Sequence, residues 1–268
     1  MASAQIATAQ SIFGPTYVLE ENLTSSCFYN EDGEFVYIGD ISSKGFKCIR
    51  DTYKLGTKTI RINSHGGSAA TGLAIANYLK EEHFHLFIDE RCISACAIYI
   101  LPLADKLSVT LGSGVILHGG PSHYQSTSQD YKADAINSLI KAGYDEEAAK
   151  QEFESSLAFT DKLIEAGDKL KATHNIGDGW FMEAGGWSDT GDGEIVSVAA
   201  EEWLEAHQTP ALIVDRKFIE SCLPDVEIVE FHGPYDEKSL KHPGFKERLD
   251  ASGLVARPDA ICVPELKK

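Results

Sequence analysis

The chain lacks any apolar run of the roughly 18 residues that a membrane-spanning helix needs, so we expect no membrane span. Basic residues are also few: 24 lysines and arginines stand against 41 aspartates and glutamates, giving a formal net charge of −17. An acidic surface repels phosphate backbones, and we therefore expect no nucleic-acid partner. Residues 1–7 lack the basic region and apolar core of a signal peptide. The compartment stays open between the cytoplasm and, if an export signal has been trimmed, the periplasm or exterior.

Metal and phosphate sites also lack their usual sequence signals. Cys92 and Cys96 are four residues apart, but no second Cys/His pair with zinc spacing follows, so we expect no metal and no cofactor. The glycine pair at 66–67 lacks the Gly-Lys-Ser/Thr ending of a phosphate-binding P-loop. The six cysteines allow several disulfide pairings, among which the sequence does not choose: Cys27, Cys48, Cys92, Cys96, Cys222 and Cys262. Small buried thiols and disulfides of an oxidising compartment both remain open.

The length and composition are those of a soluble globular protein with a substantial core. The 268 residues are 43% hydrophobic and 24% charged. At roughly 150 residues per domain, this length predicts one large domain or one domain with appendages. We divide the chain into an N-terminal segment at 1–32, a catalytic domain at 33–208 and a C-terminal extension of unknown role at 209–268.

Strands and helices alternate over the first half of the catalytic domain. Hydrophobic patterning and turn signals predict strands at 35–41, 59–63, 84–88, 106–110 and 115–118, and helices at 43–53, 69–81 and 95–103. This alternation indicates βαβ units and an α/β fold with a mainly parallel sheet. Further along, a long acidic amphipathic helix is predicted at 145–171, a loop at 175–193, a helix at 199–207, and strands at 194–198, 211–214 and 226–231. One apolar stripe on the long helix fits either core packing or an oligomer contact.

Three polar features fall at the carboxyl ends of these strands, where parallel sheets carry their sites. Ser94 lies between a strand and a helix, where a hydroxyl either caps the helix or acts as a nucleophile beside free amides. Ser43 is likewise assigned as the cap of the helix at 43–53. Gly66 and Gly67 follow another strand and allow close approach of the backbone. His118 ends a third strand, and a serine with a histidine in reach is the minimum for an activated nucleophile.

The order of these features resembles the Clp-type serine peptidases of the ClpP/crotonase superfamily. The sequence Ile62-Asn63-Ser64-His65-Gly66-Gly67-Ser68, followed by a helix, is the closest match, and the family has proline at the position of His65. The resemblance implies a spiral of βαβ units with a long helix. It also implies that Ser94 is the nucleophile, that His118 is the base, and that the amides of Gly67 and Ala95 form the oxyanion hole. Flanking Cys92 and Cys96 are unlike the Clp subunit and look more like an often exported Clp-like branch.

The resemblance also implies an aspartate that orients the histidine, as in a Ser-His-Asp triad. Asp189 is the residue we assign, with Asp178 and Asp192 as alternatives, and a dyad without an aspartate stays open. His65, His123 and His174 are alternative bases. We interpret His65 as a polar group on the substrate side of the site.

The resulting hypothesis is a serine hydrolase, specifically a ClpP-like endopeptidase acting on a peptide or protein substrate. The superfamily forms rings or trimers, so a homo-oligomer is expected, whereas the sequence gives no sign of an ATPase partner. One alternative is a crotonase-type acyl-CoA enzyme, whose chemistry often needs a carboxylate that only Asp89 or Glu90 could supply. The other is a non-catalytic scaffold or assembly subunit that keeps the fold.

Overall fold

A computed structural model describes residues 25–118, 132–181, 188–189, 195–196, 211–232 and 255–256. It confirms an α/β architecture built on a mostly parallel sheet. The strands are β1 Ser26–Tyr29, β2 Phe35–Ile38, β3 Thr59–Ser64, β4 His85–Ile93, β5 Lys106–Val109, β6 Gly114–His118, β7 Ser188–Asp189, β8 Ile195–Val196, β9 Ala211–Ile213, β10 Glu227–Phe231 and β11 Val255–Ala256. The helices are α1 Ser43–Thr52, α2 Ala69–Leu79, α3 Lys132–Lys141, α4 Glu146–Thr173, α5 Asp178–Phe181 and α6 Arg216–Cys222.

Strand β4 lies at the centre of the nine-stranded sheet and pairs with three neighbours. The order is β1-β2-β3-β4-β6-β9-β11, and β5 also pairs with β4 and carries β10 on its other side. Pairing is parallel from β2 to β6 and antiparallel at β1–β2 and β6–β9. The two short strands β7 and β8 pair only with each other in the described residues.

A bulge in β4 allows it to change partner along its length. Its first half pairs with β5 up to Ile88, and its second half pairs with β6 from Arg91. Against β3, the register moves from Ile62↔Ile88 to Ser64↔Cys92, so that β4 advances four residues where β3 advances two. Extra residues in one strand bend it and increase its twist. Strand β4 is therefore longer than the predicted 84–88 and continues to the residue before Ser94.

Alternating burial places one face of β3 in the core. Ile60, Ile62 and Ser64 are buried, while the residues between them are half-buried. Helix α2 follows β3 and contributes to the same core cluster. Its N-terminus is capped by Ser68, whose side chain accepts a hydrogen bond from the Thr71 amide. Helix α1 is capped by Ser42 rather than by Ser43, because the Ser42 hydroxyl accepts from the Gly45 amide. The assignment of Ser43 as the cap was wrong by one residue.

The first strand was not predicted. In β1, exposed and half-buried residues alternate, so that no apolar run marks it. It forms a hairpin with β2 through the turn at 30–33, where the Gly33 amide donates to the Asn30 carbonyl. A disulfide between Cys27 and Cys48 joins this edge strand to α1.

The long helix α4 contributes to two clusters. Asp145 caps it by accepting from the Ala148 amide. Its first half packs against α3 in a small separate cluster formed by Ala135, Leu139, Ala149 and Phe153. Its second half reaches the main core through Leu163, Ala166 and Leu170. None of the helices in the described ranges combines the length and the apolar character that crossing a bilayer requires.

Residues of the C-terminal part join the main sheet and core. Strand β9 pairs with β6, β10 pairs with β5, and α6 buries Phe218, Ile219 and Cys222. The predicted loop at 175–193 contains the helix α5, whose Trp180 is 1% exposed. Its ring stacks on Phe218, and its Nε1 donates to the carbonyl of Ala97 at 3.2 Å. The helix predicted at 199–207 lies outside the described residues.

Replacing Trp180 should test how much its contacts with Phe218 of α6 and with Ala97 of the turn after Ser94 stabilise the fold. We expect Trp180→Ala to lower the free energy of unfolding by about 3–5 kcal/mol, because it removes a large ring from the core. Trp180→Phe should cost much less, since it keeps most of the apolar volume. Leu55→Ala is the control, because that side chain is 72% exposed and such surface changes shift stability by about 0.5 kcal/mol or less. Denaturant titration measures all three, and equal losses for Trp180→Ala and Leu55→Ala would contradict the prediction.

Candidate active site

Ser94 follows the last residue of β4 in a left-handed backbone conformation. Its φ is +53°, a value that costs a residue other than glycine about 1–2 kcal/mol. Two backbone hydrogen bonds hold it: its amide donates to Ile116 of β6 at 2.9 Å, and its carbonyl accepts from the Ile98 amide at 2.8 Å. A strained residue at a strand-to-helix turn is typical of functional sites.

The Ser94 hydroxyl does not cap the following helix. The cap position belongs to Ala95, no side chain caps the turn, and residues Cys96–Ile100 form a π-helical turn that continues into a 3₁₀ turn. No hydrogen bond joins the Ser94 hydroxyl to any side chain in the described part of the chain, and the residue is 9% exposed. The alternative of a simple helix cap is therefore wrong.

Gly66 brings the β3–α2 loop into contact with this turn. Its φ is +83°, and a Cβ atom at this position would lie 2.3 Å from the carbonyl oxygen of Ile93 and 2.7 Å from the Cβ of Ser94. The same atom would lie 3.0 Å from the amide nitrogen of Ala95. Only a residue without a side chain allows this approach of the two backbones.

Gly67 forms a bridge that fixes the direction of its own amide. Ile41 donates to the carbonyl of Gly66 at 2.7 Å and accepts from the amide of Ser68 at 2.8 Å. In parallel pairing, the residue between two such bonds turns its own N–H away from the partner strand. Because the carbonyl of Gly66 faces Ile41, the N–H of Gly67 in the same trans peptide group points away from Ile41.

The structure brings the backbones of Ser94 and His118 to neighbouring strand ends. β4 pairs with β6 in the register Ile93↔Ile116, and His118 is the last residue of β6. The side chain of His118 lies outside the described residues, as does all of His123. Asp189 is the second residue of β7, and its side chain, that of Asp178 and all of Asp192 also lie outside them. His174 lies at the C-terminal end of α4. The roles of His118 and Asp189 therefore stay predictions.

A row of polar pairs along β3 and the β4 bulge leads to the Ser94 turn. Sequence reasoning overlooked this row, although the alternation of polar residues at 61, 63 and 65 could have indicated it. The pairs are Arg61 with Asp89 at 2.8 Å, Asn63 with Glu90 at 2.9 Å, and His65 with Arg91 at 2.8 Å. Both candidate carboxylates of the acyl-CoA alternative thus already bind neighbouring side chains.

His65 has a defined tautomer. A guanidinium only donates, so the His65 Nε2 that contacts Arg91 must accept, and the ring proton resides on Nδ1. That Nδ1 lies 4.0 Å from Oδ1 of Asp40, a buried atom without a hydrogen-bond partner among the described residues. Burial lowers the pKa of His65, and the charge of Arg91 lowers it further. The neutral ring therefore serves as an acceptor for Arg91.

Cysteines at both ends of the Ser94 turn form a disulfide. Cys92 and Cys96 are bonded to each other, and both are fully buried. Cys222 is disulfide-bonded as well, and no cysteine in the described part of the chain is free. The alternative of small buried thiols is therefore wrong. No group of three or more His, Cys, Asp or Glu residues in the described ranges could hold a metal ion.

Comparisons with known proteins give matches among solved structures only. No protein-family model matches the chain, and no curated protein matches it in sequence. Among solved structures, a mutant of ClpP1 from Listeria monocytogenes matches with a TM-score of 0.26 and 20% identity. The match covers 43% of this chain and 75% of that chain. A likeness of this size carries no argument about the fold and assigns no residue role.

Alanine at Gly66 should be far more harmful than alanine at a glycine with the same backbone conformation. Gly56 has φ +84°, and no atom lies within 4 Å of the place that a Cβ would take there. Gly56→Ala should therefore cost only the conformational strain of about 1–2 kcal/mol. Gly66→Ala should cost about 1–3 kcal/mol more, because its methyl group meets the Ile93 carbonyl. Denaturant unfolding compares the two, and equal losses would show that the Gly66 approach is not tight.

The neutral state of His65 predicts an acid-dependent loss of stability. The unfolded chain takes up a proton on this ring as the pH falls through about 6.5, whereas the folded chain resists until a lower pH. The His65 contribution to stability is therefore lost below about pH 6.5. We expect thermal melts between pH 7.5 and 5.5 to fall less for His65→Gln, whose amide oxygen can still accept from Arg91. His85 and His174, whose pKa values burial also lowers, affect both proteins equally. Identical pH dependence of the two proteins would contradict the prediction.

Proposed function

We propose that this protein is a serine hydrolase, and specifically a peptidase with a ClpP/crotonase-like arrangement. The observation that carries the proposal is the Ser94 turn. A strained, left-handed serine ends a central strand with its hydroxyl uncommitted to any described side chain, and a glycine loop packs directly against it. A merely structural serine at this position would be expected to cap the helix or to hydrogen-bond a neighbour.

The proposed mechanism uses the amides of this turn and the imidazole of the next strand. His118 takes the proton of the Ser94 hydroxyl, and the oxygen attacks the scissile carbonyl of the substrate. The amides of Gly67 and Ala95 stabilise the tetrahedral oxyanion. The leaving amine takes the proton from His118, and water, activated by the same ring, then releases the acyl group from Ser94. Asp189 would orient the imidazole.

The direction of the Gly67 amide and the approach of Gly66 to the Ala95 nitrogen support this oxyanion site. The polar row supports hydrolysis over acyl-CoA chemistry, since Asp89 and Glu90 bind Arg61, Asn63 and Arg91. We also propose that the substrate is a peptide or protein and that the chain works as a homo-oligomer. The apolar side chains that α3 and α4 leave exposed, Ile140 at 38% and Phe159 at 49%, support an oligomer contact there.

Covalent labelling with a fluorophosphonate probe tests the nucleophile. We expect the wild-type chain to be labelled once, and Ser94→Ala to abolish labelling because it removes the proposed nucleophile. Ser43→Ala is the matched control, since Ser43 is an exposed serine in the first turn of α1. Labelling that persists in Ser94→Ala would reject Ser94 as the nucleophile.

The same probe tests the base and separates the alternatives. His118→Ala should slow labelling by roughly 10²–10⁴-fold, the range that general-base catalysis supplies. His65→Ala should slow it much less. A folded wild-type chain that is never labelled would favour the scaffold alternative, and binding of a CoA thioester by calorimetry would favour the acyl-CoA alternative.

A further inference from the structure

The disulfide Cys92–Cys96 closes a short covalent ring around the Ser94 turn. Cys92 is part of β4 and pairs with Val115 of β6, so one end of the ring is anchored in the sheet. Cys96 is the first residue of the π-helical turn, so the other end is anchored in the helix. Ser94 and Ala95, which carry the proposed nucleophile and one oxyanion amide, lie inside the ring.

Because the ring is short, it restricts the backbone angles of the residues within it. The left-handed conformation of Ser94 is intrinsically disfavoured by about tenfold, and it persists only where its surroundings hold it. Two backbone hydrogen bonds, from the Ser94 amide to Ile116 and from the Ile98 amide to Ser94, help to hold this conformation. The disulfide is the only covalent restraint on the turn among the described residues.

We propose that the Cys92–Cys96 disulfide is a redox switch of the candidate active site, with Ser94 held in its reactive conformation only in the oxidised form. This inference rests on the proposed function. A dithiol reductant transfers two electrons and two protons. Its first thiolate attacks one cysteine sulfur, which forms a mixed disulfide with that cysteine and releases the other cysteine as a thiolate. Its second thiolate then attacks the reductant's own sulfur in the mixed disulfide and releases the first cysteine. The products are two cysteine thiols and an oxidised dithiol. The reverse exchange with an oxidised dithiol, which an oxidising compartment favours, reduces that dithiol and restores the disulfide.

Burial determines how easily the switch is reached. Both sulfurs of Cys92–Cys96 belong to fully buried residues, whereas Cys27 and Cys48 are half-buried at the sheet edge. A reductant must therefore wait for local opening of the Ser94 turn, and Cys27–Cys48 should be reduced first. This difference allows the two disulfides to be separated by time of exposure. Cys27–Cys48 is also separated from β4 by the strands β2 and β3, which makes it a matched control.

The experiment follows fluorophosphonate labelling of the full-length chain during incubation with dithiothreitol. Alkylation and mass spectrometry report which cysteines are reduced, including the disulfide-bonded Cys222, and circular dichroism reports folding. We expect the labelling rate to be unchanged while only Cys27 and Cys48 are reduced, and to fall about tenfold with reduction of Cys92 and Cys96 in a folded chain. Re-oxidation should restore labelling. Cys27→Ala/Cys48→Ala should keep the full redox response.

The double variant Cys92→Ala/Cys96→Ala should label about tenfold more slowly than the oxidised wild type and should not respond to dithiothreitol. Equal labelling of the oxidised and reduced folded chains, or wild-type labelling of this variant, overturns the switch and leaves the proposed hydrolase intact. Loss of labelling that always coincides with global unfolding also overturns it, because the disulfide is then only a structural crosslink. An oxidised chain that is never labelled overturns the proposed function together with the switch.

Discussion

Strand β4 can pair with β5 and with β6 only if it bends between the two. The bulge between Ile88 and Cys92 supplies this bend, and the rest of the candidate site depends on it. It redirects the end of β4 along β6, so that the amide of Ser94 meets the carbonyl of Ile116. The same bulge presents Asp89, Glu90 and Arg91 to the polar side chains of β3. A straight β4 would end beside β5 without a contact to the strand that carries His118.

The Ser94 turn combines strain with several compensating contacts. A left-handed serine is costly, and the structure offsets the cost with two backbone hydrogen bonds, a disulfide and the close packing of Gly66. The π-helical turn after it buries Cys96 to Ile100 completely or nearly so. Trp180 then fixes this turn from the other side through the carbonyl of Ala97. Residues far along the chain thereby stabilise the position of one hydroxyl.

Much of the fold could be predicted because local signals agreed with the tertiary structure. The alternating burial of β3 and the apolar stripe of α4 match their sequence periods. The edge strand β1 was harder to predict from the sequence, because it has no apolar run. It is held in place by pairing with β2 and by the disulfide Cys27–Cys48. The second half of β4 was also overlooked, because Asp89, Glu90 and Arg91 are unusual residues for a strand. Their partners on β3 and β6 allow them to be accommodated there.

The sequence by itself determined which chemical groups stand near the strand ends: a serine, a glycine pair and a histidine, each within a few residues of an apolar or alternating run. The local pattern of apolar and polar residues suffices to locate the strand ends, because the spacing of buried side chains depends on residues that are close in sequence. Only the tertiary structure decided that Ser94 is left-handed rather than a helix cap, that Gly66 touches it, and that Cys92 bonds Cys96. These features arise from contacts between segments distant in sequence or from backbone angles that packing imposes, and no local pattern encodes them.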